Sequence, residues 1–401
     1  MRYVALPTSL LLLLAGVRAQ TDDAALFNRS YSLIVLARSA MLGSIRASWE
    51  QGVAASAILE FDYPDYSLFG SNPFSRDSNS PANAVLPQTV LQLAASAITR
   101  QGRDGRLAQA VGDGNDGSAL DGASCGPSVL LGMVSQPTRI AYWRNAAIGQ
   151  LNYILNSAPR TRTGAISHRA DGRQYWADGM FMGPPFIAQY GTLVAQQDLI
   201  QMGYDQCSLY RQALIRDGPT GRLWGHIWSD DTQAWVDGGL WGTGNAWAAL
   251  GMLHVAAAID VSDFRSQMFA QRDTLFVWIR EIFDGMFGAM TPLGLVPNYV
   301  SGAPESAQFG DAASSAALAA VAYRCVTHWP SIFSADYINT ANSIRTAIID
   351  RIDPELGLIR PVVDPVSWRA TGSISTEGQA FFVMMMAAWR DYIRKNGGQV
   401  P

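Results

Sequence analysis

The chain has 401 residues, 48% of them apolar and 15% charged, with a formal net charge of −4. Its 29 basic residues are scattered and all but Lys395 are arginine, so no basic stripe exists and a nucleic-acid-binding face is excluded. Three cysteines (Cys125, Cys207, Cys325) exclude a disulfide scaffold, and four histidines without a close pair give no metal-ligand spacing, so neither metal nor other cofactor is expected.

The first element is a leader. Met1-Arg2 supplies a positive start, Leu10–Leu14 an apolar run, and Val17-Arg18-Ala19 a small-residue cleavage pattern. This layout predicts a secretory signal peptide over residues 1–19, too short to span a bilayer. The protein is therefore expected to be secreted and extracellular, with no membrane attachment after cleavage. Asn28-Arg29-Ser30 fits an N-glycosylation acceptor. No Pro- or Ser-rich linker divides residues 20–401, which predicts one domain and a monomer. The stretch 70–81, with Asn72-Pro73 and Ser78-Asn79-Ser80-Pro81, predicts a long surface loop.

Six segments then repeat one pattern, a polar opening with glycine nearby followed by an alanine-rich apolar helix. They run from Trp49-Glu50-Gln51-Gly52 to Phe61, from Asp121-Gly122-Ala123-Ser124 to Val134, and from Trp176-Ala177-Asp178-Gly179 to Tyr190. The others run from Gly242-Thr243-Gly244-Asn245 to Ala258, from Gly310-Asp311-Ala312 to Tyr323, and from Thr376-Glu377-Gly378-Gln379 to Trp389. Between them lie one-sided patterns. In 140–156, Trp143, Ala147, Leu151, Ile154 and Leu155 share a face, with Arg144, Asn145, Gln150 and Asn152 pointing elsewhere; 336–352 carries Ile338, Ile344 and Ile348 among polar residues. Helices apolar all round are buried, and helices apolar on one side are external. The alternation predicts an all-α fold, an (α/α)6 barrel with an inner ring wrapped by an outer one.

If the inner helices run parallel, their N-termini meet at one mouth and bring together Glu50, Asp121, Asp178, Asn245, Asp311 and Glu377. The positive ends of the helices favour carboxylates there, while mutual repulsion keeps at least one protonated. One ionised and one protonated carboxyl group suit acid–base chemistry on sugars. Trp49, Tyr175, Trp176, Trp224, Trp228, Trp235, Trp241 and Trp247 thicken around the same openings and offer flat faces for pyranose rings. For each residue taken singly, a helix cap or a core position is the stronger explanation, and the case rests on their convergence.

The segment Tyr175-Trp176-Ala177-Asp178-Gly179-Met180-Phe181-Met182-Gly183-Pro184-Pro185-Phe186 closely resembles the signature of the unsaturated rhamnogalacturonyl hydrolases of glycoside hydrolase family 105. It is also similar to the unsaturated glucuronyl hydrolases of family 88. Supporting matches are Gly164-Ala165-Ile166-Ser167-His168-Arg169, Leu223-Trp224-Gly225-His226-Ile227-Trp228, Gly242-Thr243-Gly244-Asn245-Ala246-Trp247 and Glu377-Gly378-Gln379-Ala380-Phe381. The overall wording looks most like secreted fungal six-hairpin glycosidase-like proteins.

The resemblance implies a six-hairpin barrel that removes a terminal 4,5-unsaturated uronic acid from lyase-generated oligosaccharides of the pectin or rhamnogalacturonan type. Hydration of the vinyl-ether bond gives a hemiketal that collapses. On that pattern Asp178 protonates C4 and then directs water to C5, and Asp121 is the second carboxylate. His168, Arg169, His226, Trp176, Trp247 and Glu377 would bind the oligosaccharide. The chain departs from the pattern at Thr243, where the family carries an arginine; Arg169 or Arg173 could stand in for it. Two other readings remain: a conventional two-carboxylate glycosidase on a saturated sugar, using Asp178 with Asp121 or Glu377, and a non-catalytic glycan-binding protein on the same scaffold.

Overall fold

A computed structural model describes residues 8–75, 86–109 and 117–401, with side chains from residue 22 onward. Part of the expected leader and the 76–81 portion of the expected loop lie outside the described residues. The chain winds as six helical hairpins, each an outer helix followed by an inner one. The first three are α1 (Thr8–Gly43) with α2 (Ser48–Asp62), α3 (Gln88–Thr99) with α4 (Gly126–Ser135), and α5 (Ile140–Asn156) with the broken pair α6 (Gly179–Met182) and α7 (Pro184–Leu193). The last three are α8 (Gln197–Leu214) with α9 (Gly242–Asp260), α10 (Phe269–Phe287) with α11 (Ala312–His328), and α12 (Asp336–Ile349) with α13 (Thr376–Lys395). In the inner ring α2, α4, α7, α9, α11 and α13 pack in that order, and α13 closes back on α2. The fold is an (α/α)6 barrel.

Burial follows composition. Every residue of α9 from Gly242 to Ile259 and of α11 from Ala312 to Thr327 is buried, whereas α5 buries one face through Trp143, Ala147, Leu151 and Ile154. Gln150 departs from the expected outward position. It is fully buried, because its Oε1 accepts the Leu107 backbone N–H at 2.8 Å. Small residues let inner helices approach one another closely. A Cβ at Gly251 of α9 would collide with the Met180 carbonyl of α6, so only glycine fits there.

Local signals start and end these helices. Asp311 accepts the Ser314 N–H at 2.8 Å ahead of α11, and the Ser375 hydroxyl accepts the Gly378 N–H at 3.1 Å in the first turn of α13. Prolines occupy the first turn of both α4 and α7. At the opposite end of the barrel, Arg390 of α13 donates to the carbonyls of Phe61 and Glu60, which end α2 and have no intrahelical partner. Beside it Arg324 of α11, 1% exposed, bridges Glu60 at 2.9 Å and Asp391 at 2.5 Å. A buried ion cluster thus closes the floor.

The long connections into the inner helices carry short antiparallel strands that the sequence reading did not anticipate. β1 (Gln174–Trp176) pairs with β4 (Ile227–Ser229), which pairs in turn with β5 (Ala234–Asp237). β2 (Ile215–Gly218) pairs with β3 (Gly221–Trp224), and β6 (Val362–Asp364) with β7 (Ser367–Gly372). The β1 sheet and the β6–β7 hairpin supply much of the wall described next.

Candidate active site

At the N-terminal mouth lies a cavity of ≈ 240 Å3, whose wall includes Asp121, Asp178, Glu377, His168, Arg169 and Trp176. Trp49, Met182, Trp241, Pro365, Val366 and Trp368 complete its lining. The six-membered polar ring expected from the sequence divides in two here. Asp121, Asp178 and Glu377 face the cavity. Glu50 instead turns back to accept the Arg46 and Ala47 N–H groups at 2.6 and 3.0 Å, and Asp311 accepts from Ser314 N and Val363 N, both at 2.8 Å. Asn245 accepts the Trp224 N–H and donates to the Trp224 and Trp241 carbonyls at 3.0 and 2.8 Å. These three are helix-end and loop clamps, because a helix start leaves backbone donors that the nearest polar side chain satisfies.

Asp178 follows β1 at the start of α6. Its carboxylate lies 3.4 Å from Nε2 of His226, which is fully buried one layer behind the wall. The other imidazole nitrogen, Nδ1, is 3.0 Å from Asp237 Oδ2. Asp237 also accepts the Tyr299 hydroxyl at 2.6 Å and the Gly239 N–H at 3.0 Å. Burial opposes a charge on His226, but the hydrogen bonds to Asp178 and Asp237 outweigh it and hold the imidazole pKa above its ordinary value. For Asp237, burial works upward and the bonds from His226 and Tyr299 work downward; the bonds prevail and keep it well below the usual carboxylate range. Asp178–His226–Asp237–Tyr299 is therefore one run of close polar contacts leading inward from the cavity, hydrogen-bonded from His226 to Tyr299. His226, expected to touch substrate, is fully buried behind Asp178 and is not among the residues that line the cavity.

Asp121 opens a short 3-10 turn (Asp121–Cys125) ahead of α4, and its Oδ1 lies 3.5 Å from His168 Nε2. The His168 ring stacks on Trp176 at 4.9 Å, with the planes 22° apart. Arg169 sits 5.9 Å from the same indole and forks onto Asp171 at 2.7 and 2.9 Å. Glu377, the second residue of α13, accepts the Trp49 indole N–H at 3.2 Å, while its Oε1 is buried with no partner among the described residues. Burial, then the nearby Asp178, Glu50 and Asp311 carboxylates, push Glu377 well above the usual carboxylate range, so it stands as a neutral acid. The site thus pairs ionisable groups of different character within one cavity.

Two expectations fail here. Trp247 does not line the cavity. Lying one turn into α9, which is buried all round, it packs against Phe381 at 4.5 Å and Phe181 at 4.9 Å with 1% exposure, and is core. Arg173 does not stand in for the missing arginine either; it is held by Asp231 at 2.5 Å, away from the cavity wall. Thr243 is fully buried and donates to Asp311 at 3.3 Å. Sequence reasoning missed Asp237, Tyr299 and Trp368. Trp368 lies edge-on to both Trp176 (5.6 Å) and His226 (4.6 Å), and it roofs the cavity from the β6–β7 hairpin.

An acid-lined, aromatic-walled cavity at the mouth of an (α/α)6 barrel is the build of a carbohydrate-active enzyme. Comparison with known proteins agrees. Residues 94–283 match the model of Glycosyl Hydrolase Family 88. The unsaturated rhamnogalacturonyl hydrolase YesR of Bacillus subtilis is 27% identical over 156 residues, which cover 37% of this chain and 44% of that protein. The match thus spans less than half the length of this curated relative. A possible GH105 member from Salmonella enterica superposes with a TM-score of 0.68 at 15% identity, covering 92% of this chain and 94% of that one. The unsaturated glucuronyl hydrolase of Bacillus sp. GL1 gives a TM-score of 0.54 at 14% identity, with 84% and 96% covered. The chain thus resembles Glycosyl Hydrolase Family 88 in sequence over residues 94–283 and the structures of family 88 and 105 proteins in fold over most of its length.

Proposed function

We propose that the protein is a glycoside hydrolase that removes a terminal 4,5-unsaturated uronic acid from lyase-generated oligosaccharides by hydrating the double bond. One observation carries this reading. Asp178 presents its carboxyl group to the cavity while His226, clamped from behind by Asp237, lies 3.4 Å away. A carboxyl group so held delivers a proton along a fixed direction. The protonated Asp178 gives its proton to C4 of the vinyl ether, and positive charge develops at C5 and the ring oxygen. Water then adds at C5 and returns a proton to Asp178, leaving a hemiketal that opens and releases the rest of the saccharide. Asp121 and neutral Glu377 meet sugar hydroxyls, Trp176 offers an apolar face, and Arg169 offers a cation to the uronate.

The test is Asp178→Asn, followed by loss of the unsaturated chromophore from a panel of lyase products. Folding is expected to persist and turnover to vanish. Turnover within tenfold of wild type would remove Asp178 from the chemistry.

A second reading, hydrolysis of a saturated sugar by two carboxylates, draws support from Thr243, which offers no cation where the resembling family has one. Saturated and unsaturated disaccharides assayed side by side separate the two readings, and the spacing of the participating carboxylates sets the stereochemical outcome of the second. We further place the enzyme outside the cell as a monomer with one catalytic domain, on the support of the leader pattern at Met1–Ala19 and the lack of a linker. N-terminal sequencing of exported protein and sedimentation velocity test this.

A further inference from the structure

The three-stranded sheet beside the active site has a second face. Trp176 of β1 lines the cavity, so its neighbour Tyr175 turns to the opposite side of the sheet. Cross-strand register sets Trp228 of β4 against Tyr175, and Trp235 of β5 against Trp228, so three aromatic side chains share that opposite side. Between it and α8 runs a groove of ≈ 390 Å3, within the ~300–1,000 Å3 typical of ligand pockets. Among the described residues the groove shares no lining residue with the catalytic cavity.

The groove combines a flat apolar surface with fixed polar groups. Leu209 and Ala213 of α8 line it together with the half-buried Trp228 indole, which Trp235 holds edge-on at 5.2 Å. Such an indole suits the apolar side of a sugar ring. Gln212, also on α8, donates its amide N–H to Ser208 Oγ at 3.0 Å. Gln233 donates to the Asp230 carbonyl at 2.8 Å and to the Asp230 carboxylate at 3.1 Å. These bonds fix both amides and leave each amide oxygen as an acceptor with no partner among the described residues. The Trp228 indole N–H, likewise unpartnered among them, is the complementary donor. Gln233 occupies its place at a cost, because its backbone is left-handed (φ 52°), a conformation that glycine takes freely.

Charge decides which saccharide fits. Asp230, 4% exposed, is the groove's only charged side chain among the described residues, and none of those lining it is a cation. A uronate would meet a carboxylate there with no counter-ion. Sugar hydroxyls can donate to Asp230 and to the two amides and accept from the indole. The cavity, by contrast, presents Arg169. We propose that this groove is a second glycan-binding site, separate from the catalytic cavity, and that it holds a neutral sugar. One sheet then serves two saccharides, an acidic chain end on the Trp176 side and a neutral segment on the Trp228 side. The inference rests on the proposed function only in taking a saccharide as the ligand.

The experiment titrates the full chain with galactotriose as a neutral probe and trigalacturonate as an acidic one. The readout is the indole N–H NMR signal of Trp228, identified by its absence from Trp228→Phe. Galactotriose is expected to move that signal and trigalacturonate to leave it in place. By calorimetry, galactotriose is expected to bind about 2- to 10-fold more weakly to Gln212→Ala, which loses one neutral hydrogen bond. Trp228→Ala, which loses the aromatic face, is expected to weaken binding at least about 10-fold. Gln212 lies on the exposed side of α8, so its variant keeps the test decisive should Trp228→Ala fail to fold. A Trp228 signal that ignores galactotriose, or follows both probes equally, overturns the proposal, as does an affinity that Gln212→Ala leaves unchanged. Galactotriose is also expected not to slow chromophore decay on an unsaturated disaccharide; competition would put the probe in the cavity and overturn the separate site. A Trp228 response in a protein that turns over no unsaturated substrate would remove the catalytic reading and leave the groove standing. Normal turnover with a silent Trp228 signal would do the opposite.

Discussion

Asp237→Asn changes one charge and almost no volume behind Asp178, the proposed catalytic acid. The wild-type carboxylate sits 3.0 Å from His226 Nδ1 in a buried setting and helps hold the imidazolium against the cost of burial. A hydrogen bond to a charged group is worth about 1.5–3 kcal/mol, and one pKa unit corresponds to about 1.36 kcal/mol. Losing the charge therefore lowers the proton affinity of the His226 ring. The sign follows from electrostatics, since removing a negative neighbour makes protonation less favourable there. The alkaline limb of the kcat/KM profile, where the ring gives up its proton, moves to lower pH. The assay is chromophore decay across pH on an unsaturated disaccharide, with an NMR titration of the His226 ring in the same variant as a readout that needs no substrate. A limb and a ring titration that both stay in place, or that move to higher pH, would refute the idea that Asp237 sets the charge of His226. Stability carries the same signature. The raised His226 pKa contributes stability below its unfolded value that is lost as pH rises through the folded value. The depressed Asp237 pKa contributes stability above the ordinary carboxylate range that is lost as pH falls through the folded value.

Glu377→Gln is expected to raise the thermal midpoint at pH 7–8 and to leave it unchanged near pH 4, because a carboxyl whose folded pKa is raised costs stability only above its unfolded value. Its kcat/KM is expected to change by less than about tenfold, since an amide and a neutral acid carry the same charge; a larger loss would show that the ionised form is needed. Arg324→Ala strands Glu60 and Asp391 in the barrel floor and is expected to cost about 3–5 kcal/mol in urea denaturation. The kinetics of the folded fraction are expected to stay unchanged, because the cluster lies at the far end from the cavity; a selective loss of activity would contradict that separation.

The barrel was legible in the sequence because its signals are local. All-round burial in α9 and α11 and the one-sided face of α5 follow from residue periodicity, and the recurrent polar-glycine openings mark where inner helices start. Which opening side chains face the cavity was not legible. Glu50 and Asp121 belong to the same repeat, yet Glu50 caps its own helix while Asp121 meets His168 through the fold alone.

 The Asp121–His168 approach, at 3.5 Å, joins residues from different hairpins, so no window of sequence contains it. Trp247 shows the opposite case. A tryptophan beside a motif invites a binding role, but one turn into a helix that is buried all round, its position already implied core. Asp237 and Trp368 were missed because they sit on β5 and β7, outside the helical repeat, and reach the site only through strand pairing. The one available signal was Asp237-Gly238-Gly239, an acid and two glycines closing a short aromatic-rich run.

Position 243 shows how a change at one helix start redistributes charge across the mouth. An arginine there would sit beside Asp311, a carboxyl whose burial raises its pKa despite bonds from Ser314 and Val363. With threonine in place, Asp311 receives two neutral hydroxyl donors, Thr243 at 3.3 Å and Ser314 at 2.7 Å, and two backbone N–H groups at 2.8 Å, and becomes a clamp between α11 and the β6–β7 hairpin. That clamp sets where the hairpin lies. It therefore helps position Trp368 over the cavity. Residue 243 is thus mechanically coupled, through Asp311, to the hairpin that roofs the site. A Thr243→Arg change is expected to add a cation beside Asp311 and to disturb that hairpin if Asp311 lets go of Val363.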